Sequence, residues 1–216
     1  MKERPILFSS PMVRAILAGA KTQTRRVVKP LGAAAVVPLI GADDKPTGEF
    51  GWCPNVRVIT DHIRCPYGRP SDRLWVREAF IHEPADYCWE ASVSIPCRPA
   101  STTYRADVEG DSRGAGWKPS IHMPRSLSRI TLEITDVRIE RLQGISEADA
   151  IAEGVDQAQY LREDDDVMVA ICADKLNVPF PVARYVLLWD SINGTPPNNW
   201  NSNPWVWAIS FKRIAP

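Results

Sequence analysis

Prolines punctuate this chain too often for long helices to carry its fold. There are 19 in 216 residues, about twice the usual frequency of roughly 5%. The punctuation is densest between residues 30 and 72, where Pro30, Gly32, Pro38, Gly41, Pro46, Gly48, Gly51, Pro54, Pro66, Gly68 and Pro70 follow one another. That stretch reads as loop with one strand at Asn55–Thr60. Residues 81–100 read as a second irregular insertion. A third spans 156–180 and holds the acidic run Glu163-Asp164-Asp165-Asp166, a solvated segment by its charge.

Regular elements lie between these insertions. Ser10 and Pro11 suit the start of a helix, Met12, Val13, Ile16 and Leu17 recur at helical spacing, and Gly19 can end it. A turn at Lys21 then leads into a strand that begins near Thr24. Arg73–Phe80 alternates as a strand with Leu74, Val76 and Phe80 on one face, and Glu78 shares that face. Thr102–Ala106 reads as a short strand. Ser128–Gln143 reads as a long one whose inward residues switch from even (Ile130, Leu132, Ile134) to odd (Val137, Ile139), which predicts a bulge near Asp136. Ser146 and Asp149 form a capping box, and Gly154 can stop that short helix. Pro181–Asn193 reads as a helix with Val182, Tyr185, Val186, Trp189 and Ile192 inward. Trp205–Ile214 closes the chain as a strand with Trp205, Trp207, Ile209 and Phe211 on one face. The expected fold is a single α+β domain over residues 1–216: a small, mostly antiparallel β-barrel with about three helices and long loop insertions.

Charge balances, with 26 basic and 26 acidic residues. That excludes a polycation coating nucleic acid, though not a local basic cleft. No stretch is apolar enough to span a bilayer, and the first residues, Met1-Lys2-Glu3-Arg4-Pro5, lack a signal-peptide core. Five unevenly spaced cysteines with no C-x-x-C pair fit free thiols and a cytoplasmic setting. Cys53, His62 and Cys65 are a conceivable zinc set, but their spacing matches no zinc pattern, and the expectation is of no metal and no cofactor.

Lys21, Thr24 and Glu78 are the candidates for chemistry. A threonine hydroxyl attacks a carbonyl only when a base takes its proton. A lysine can be that base if burial lowers its pKa, and a glutamic acid in an apolar wall can keep a proton for a leaving group. Plainer roles stand beside these: a solvated turn for Lys21, ordinary strand packing for Thr24, and an ion pair with Arg26 or Arg77 for Glu78.

Gly19-Ala20-Lys21-Thr22-Gln23-Thr24-Arg25-Arg26 resembles the G-x-K-x-x-T-x-R signature of ASCH domains. Ile6 to Leu17, Asp72 to Glu78, Trp117 to Arg125 and Asn203 to Trp207 resemble the prophage-encoded members of that family. The resemblance implies a PUA-like β-barrel that binds RNA or a nucleoside. In one bacterial branch the family hydrolyses the N4-acetyl amide of acetylcytidine with a lysine, a threonine three residues later and a downstream glutamate, which here fall on Lys21, Thr24 and Glu78. Another branch is described as a ribonuclease. This chain is about twice as long as the minimal hydrolases, and its insertions depart from their compact pattern.

The expected function is therefore an RNA- or nucleoside-binding domain that hydrolyses an acylated nucleobase. The alternatives are a non-catalytic reader of RNA or a modified nucleotide, a metal-independent ribonuclease using His122 and Lys21, and a phage structural or interaction protein. Arg25, Arg26 and Arg77 are candidate phosphate contacts. Lys118, His122 and Arg125, stiffened by Pro119 and Pro124, suit a phosphate- or base-contacting loop. Tyr104 is a stacking candidate, as are Trp52, Trp89, Trp117 and Trp200 in the expected loops.

Overall fold

The computed structural model describes residues 1–28, 35–40, 46–53, 61–90, 93–98, 100–108, 116–155 and 165–214. In chain order the strands are β1 (Glu3–Leu7), β2 (Gln23–Val27), β3 (Ala35–Ile40), β4 (Pro46–Cys53), β5 (Asp61–Arg64), β6 (Arg73–Arg77), β7 (Phe80–Glu83), β8 (Asp86–Glu90), β9 (Val93–Arg98), β10 (Ser101–Tyr104), β11 (Thr131–Arg141) and β12 (Trp205–Ile214). The α-helices are α1 (Ser10–Leu17), α2 (Glu147–Ala152), α3 (Asp165–Leu176) and α4 (Phe180–Asn193). The fold class is α+β. Among the described residues no helix is long and apolar enough to cross a membrane.

The central sheet has five strands in the order β1-β6-β11-β12-β2. Only β1 and β6 run parallel; the other pairs are antiparallel. The two end strands do not pair, so the hydrogen-bonded sheet is open. They are nevertheless brought together: the Arg26 guanidinium at the far end of the sheet donates to the Leu7 carbonyl at 2.6 Å. Phe8, just past β1, packs its ring 6.2 Å from that of Phe211 on β12.

Both faces of the sheet are covered. One apolar cluster joins Ile6, Phe8, Val13, Ile16, Leu74, Val76, Leu132, Ile134, Trp207, Ile209 and Phe211. The second joins Val206 to Tyr185, Val186, Leu188 and Trp189 of α4 and to Leu142, Ile145 and Ala150 near α2. β12 lies between the two, which is why Val206 and Ala208 are as buried as Trp207 and Ile209. The bulge falls where the parity of β11 switches. Ile134 faces Phe211 and Asp136 faces Ser210, so Thr135 has no opposite residue and Val137 inherits the inner face.

α1, the capping box on α2 and the α4 helix match the sequence pattern within a residue or two. The Ser146 hydroxyl accepts from the Asp149 N–H, and Gly19 and Gly154 both adopt positive φ after their helices. Ile192 is a correction: it is 57% exposed on the outer side of α4. The insertions are corrections too. β3, β4 and β5 form a three-stranded antiparallel sheet within 30–72, β8 and β9 form a hairpin within 81–100, and α3 occupies much of 156–180. Strands can carry prolines at edges and bulges, so punctuation alone overstated the loop content. The expected strand at Asn55–Thr60 lies outside the described residues.

Gly154 ties helix to sheet. Its φ is +84°, and a Cβ there would lie 3.1 Å from the Cβ atoms of both Ala15 and Lys21. Gly154→Ala is therefore expected to destabilise the fold by roughly 1–3 kcal/mol, read as a lower midpoint in urea denaturation. An unchanged midpoint would show that the close approach is not required.

Candidate functional site

β2 carries three consecutive buried polar side chains: Gln23, Thr24 and Arg25. Alternation sends them to opposite faces. Gln23 and Arg25 turn toward α2 and α4, where Gln23 bonds Asp149 and Ser210. Arg25 bonds Glu140 at 2.6 Å and pairs with Asp149 at 3.2 Å and Glu153 at 3.3 Å. Its guanidinium is thus committed to three carboxylates and closed to solvent, which leaves nothing for a phosphate.

Lys21 precedes the strand and is buried rather than solvated. Its ammonium donates to the Glu153 carboxylate at 2.6 Å and to the Glu153 carbonyl at 2.9 Å. It also lies 5.8 Å from the centre of the Phe8 ring. Burial lowers its pKa below the ordinary lysine value, while Glu153 pulls the other way.

Glu78 follows β6 and is 1% exposed. Its partner is neither Arg26 nor Arg77 but Arg129, which grips both carboxylate oxygens at 2.9 and 3.0 Å. Arg129 also holds Asp107 at 2.7 and 2.8 Å, and its guanidinium stacks 3.9 Å from the Tyr104 ring centre. Burial pushes the Glu78 pKa up, and Arg129 only partly offsets it. Glu78 lies past the end of β6, which stops at Arg77 and not at Phe80 as expected, and Arg77 is engaged elsewhere: it donates to the Met123 carbonyl and lies over Trp75.

No hydrogen bond joins Lys21, Thr24 and Glu78 to one another. Two of them, Lys21 and Glu78, lie near Phe8. Leu7 pairs with Arg77 in the parallel ladder, so Phe8 stands beside Glu78, and the Phe8 N–H donates to the Arg77 carbonyl. The same ring carries Lys21 and the Arg26 guanidinium, the latter at 5.3 Å. Thr24 lines a cleft of about 70 Å³ that also reaches Arg26, Glu153 and Tyr185.

The remaining expected contacts are spread over the surface. Lys118, His122 and Arg125 are exposed around the buried Met123, and Arg125 pairs with Glu3 at 3.1 Å. Tyr104 donates to the Leu127 carbonyl and has one face taken by Arg129. Trp117 is half-buried, 5.8 Å from Arg105. Trp200 is a correction: it is 5% exposed, inside the α4 core, and unable to stack on a base. Trp52 and Trp89 lie on β4 and β8 rather than in loops, and their side chains fall outside the described residues, as do those of Cys53 and His62. Cys65 is a buried thiol, pushed up to about 11 by desolvation. Among the described residues no cluster of three His, Cys, Asp or Glu could hold a metal ion.

Sequence reasoning missed Glu153, Arg129, Asp107 and Phe8. Glu153 carried one signal, its place before the glycine that ends the capping-box helix. No protein-family model, curated protein or solved structure matches the chain. The likeness to ASCH domains therefore rests on the motif residues alone.

Two outcomes are expected. Glu153→Ala strands the buried Lys21 and removes one of the three carboxylates of Arg25, and should cost about 3–5 kcal/mol in chemical denaturation, whereas the double change Lys21→Met with Glu153→Leu should regain a large part of that loss. The second outcome concerns pH. Because the folded-state pKa of Glu78 is raised above its unfolded value of 4.5, its contribution to stability is full below pH 4.5 and is lost as pH rises through the folded pKa. The stability of the wild type relative to Glu78→Gln should accordingly fall as pH rises above 4.5; a rising difference would contradict the raised pKa.

Proposed function

We propose that this chain is a PUA-like ASCH domain that hydrolyses an acyl group from the exocyclic amine of a nucleobase, as in N4-acetylcytidine. The observation that carries this reading is the burial of an amine, a hydroxyl and a carboxyl group, Lys21, Thr24 and Glu78, with the amine and the carboxyl both beside Phe8. Desolvation acts on the two charged groups in opposite directions, lowering the lysine and raising the glutamic acid. A base and an acid are both brought nearer to neutral pH. The Arg26 bond to Leu7, which links the two end strands of the open sheet, supports the barrel-like part of the reading.

In the proposed reaction Thr24 Oγ attacks the acyl carbon and its proton passes to the neutral Lys21 amine. The carbon–nitrogen bond breaks, and the departing nucleobase amine takes a proton from Glu78. Water then hydrolyses the threonine ester and releases the carboxylic acid. Arg129 and Glu153 hold the acid and the base in place.

A second reading, binding without turnover, is favoured by one observation: Lys21 and Glu78 are each already engaged, by Glu153 and Arg129. A single assay separates the two. Purified protein incubated with N4-acetylcytidine should release cytidine and acetate, measured by chromatography. Lys21→Ala and Glu78→Gln should lower the rate by about 100-fold or more. Retained binding of the nucleoside with no release would establish the reader instead, and neither binding nor release would sink both.

A further inference from the structure

Among the described residues the sheet ends in a strand, β2, with one unpaired edge. Thr24 and Arg26 of β2 stand opposite Ile209 and Trp207 of β12. The ladder continues at both ends, where the Phe211 N–H donates to the Thr22 carbonyl and the Val28 N–H to the Trp205 carbonyl. Even-numbered residues of β2 therefore form the hydrogen-bonded pairs, and the N–H and C=O groups of Arg25 and Val27 point away from β12. β2 is the last strand in the order, and no described residue bonds these four groups.

The cleft runs along this edge. Four consecutive residues, Thr24 to Val27, form one side, and Met12 of α1 with Leu188, Trp189 and Ile192 of α4 form the walls. Ile192 is exposed at the rim. Arg26 adds an independent sign. Among the described residues its guanidinium has one hydrogen bond, to the Leu7 carbonyl, while its buried Nε has no partner. Among the described residues no carboxylate pairs with it, in contrast to Arg25 with three.

The cleft, about 70 Å³ and open at its rim, is large enough for a short aliphatic side chain. An unpaired row of backbone donors and acceptors is complementary to another extended backbone.

We propose that the β2 edge is a docking site for an extended acidic peptide segment of a partner protein. The segment adds a sixth strand by bonding the backbone of Arg25 and Val27. Its central residue, an aspartate or glutamate, stands opposite Arg26 and supplies the missing counter-ion. The residues on either side of it face α4, and one of them places a small aliphatic side chain in the cleft. This site adjoins the reaction proposed above, since Thr24 and Glu153 line the same cleft, but peptide binding at the edge is read independently of turnover.

The test uses the full ¹⁵N-labelled chain and the synthetic peptide acetyl-Ala-Val-Asp-Val-Ala-amide. Titration should shift the Arg25 and Val27 amide signals and slow their hydrogen exchange. N-methylation of both valines of the peptide removes two hydrogen bonds and should weaken binding about tenfold or more. Replacing the peptide aspartate by lysine should weaken it to a similar degree, and Arg26→Glu should reverse that charge preference. The peptide-side changes keep the test independent of how any variant folds. Equal binding of the N-methylated peptide would overturn the proposal. So would no response of these amides at millimolar peptide, or a response to oligouridylate and not to the peptide.

Discussion

One carboxylate, that of Glu153, makes the rest of this structure possible. Lys21 and Arg25 are both buried at the start of β2, and an unpaired charge in such a place costs several kcal/mol. Glu153 answers both, giving one oxygen to each, while its own carbonyl takes a further hydrogen bond from Lys21. It can do so because α2 ends there and Gly154 lets the chain pass within contact distance of Lys21. Glu140 and Asp149 complete the shell around Arg25. A strand with three polar side chains in a row is thereby held between two apolar clusters without an orphaned charge.

The second constraint is the placement of Phe8. The parallel pairing of β1 with β6 sets it beside Glu78, and the curl of the sheet brings the beginning of β2 to its ring. Two charge clusters result, Lys21 with Glu153 and Glu78 with Arg129, without a direct bond between them. Each partner limits how far desolvation can neutralise its charge. The balance leaves the lysine lowered and the glutamate raised, which is the direction a base and an acid at one site require.

The sequence exposed most of the strands and helices that position the site, because their signals are local. The parity switch in β11, the capping box of α2 and the helical spacing in α4 each need only a short window. Glu78 was visible as an acid on an apolar face for the same reason. Its partner was not: Arg129 is 51 positions away, and only the pairing of β6 with β11 brings it near. Glu153 lies 132 positions from Lys21 and is equally invisible to a local reading. The insertions misled in the opposite direction, since proline and glycine forbid regular structure in a helix more strictly than at the edge of a short strand. Trp200 likewise looked like a loop residue by its neighbours, Asn199 and Asn201, yet its ring fills the α4 core.

β2 presents three different surfaces, and each follows from the same alternation. Arg26 lies over Phe8, Gln23 and Arg25 face α2 and α4, and the backbone of Arg25 and Val27 faces the cleft. An edge strand is usually protected by being short, charged or covered. Here Met12 of α1 and Leu188, Trp189 and Ile192 of α4 line the cleft beside it. The strand itself is fixed from both sides, by three carboxylates on Arg25 and by the bond of Arg26 to Leu7. An added strand would meet a preformed edge with no ordering of β2 to offset, and preorganisation of that kind lowers the entropic cost of binding. The buried charges that make β2 expensive to fold are thus what keep its open edge ready for a partner.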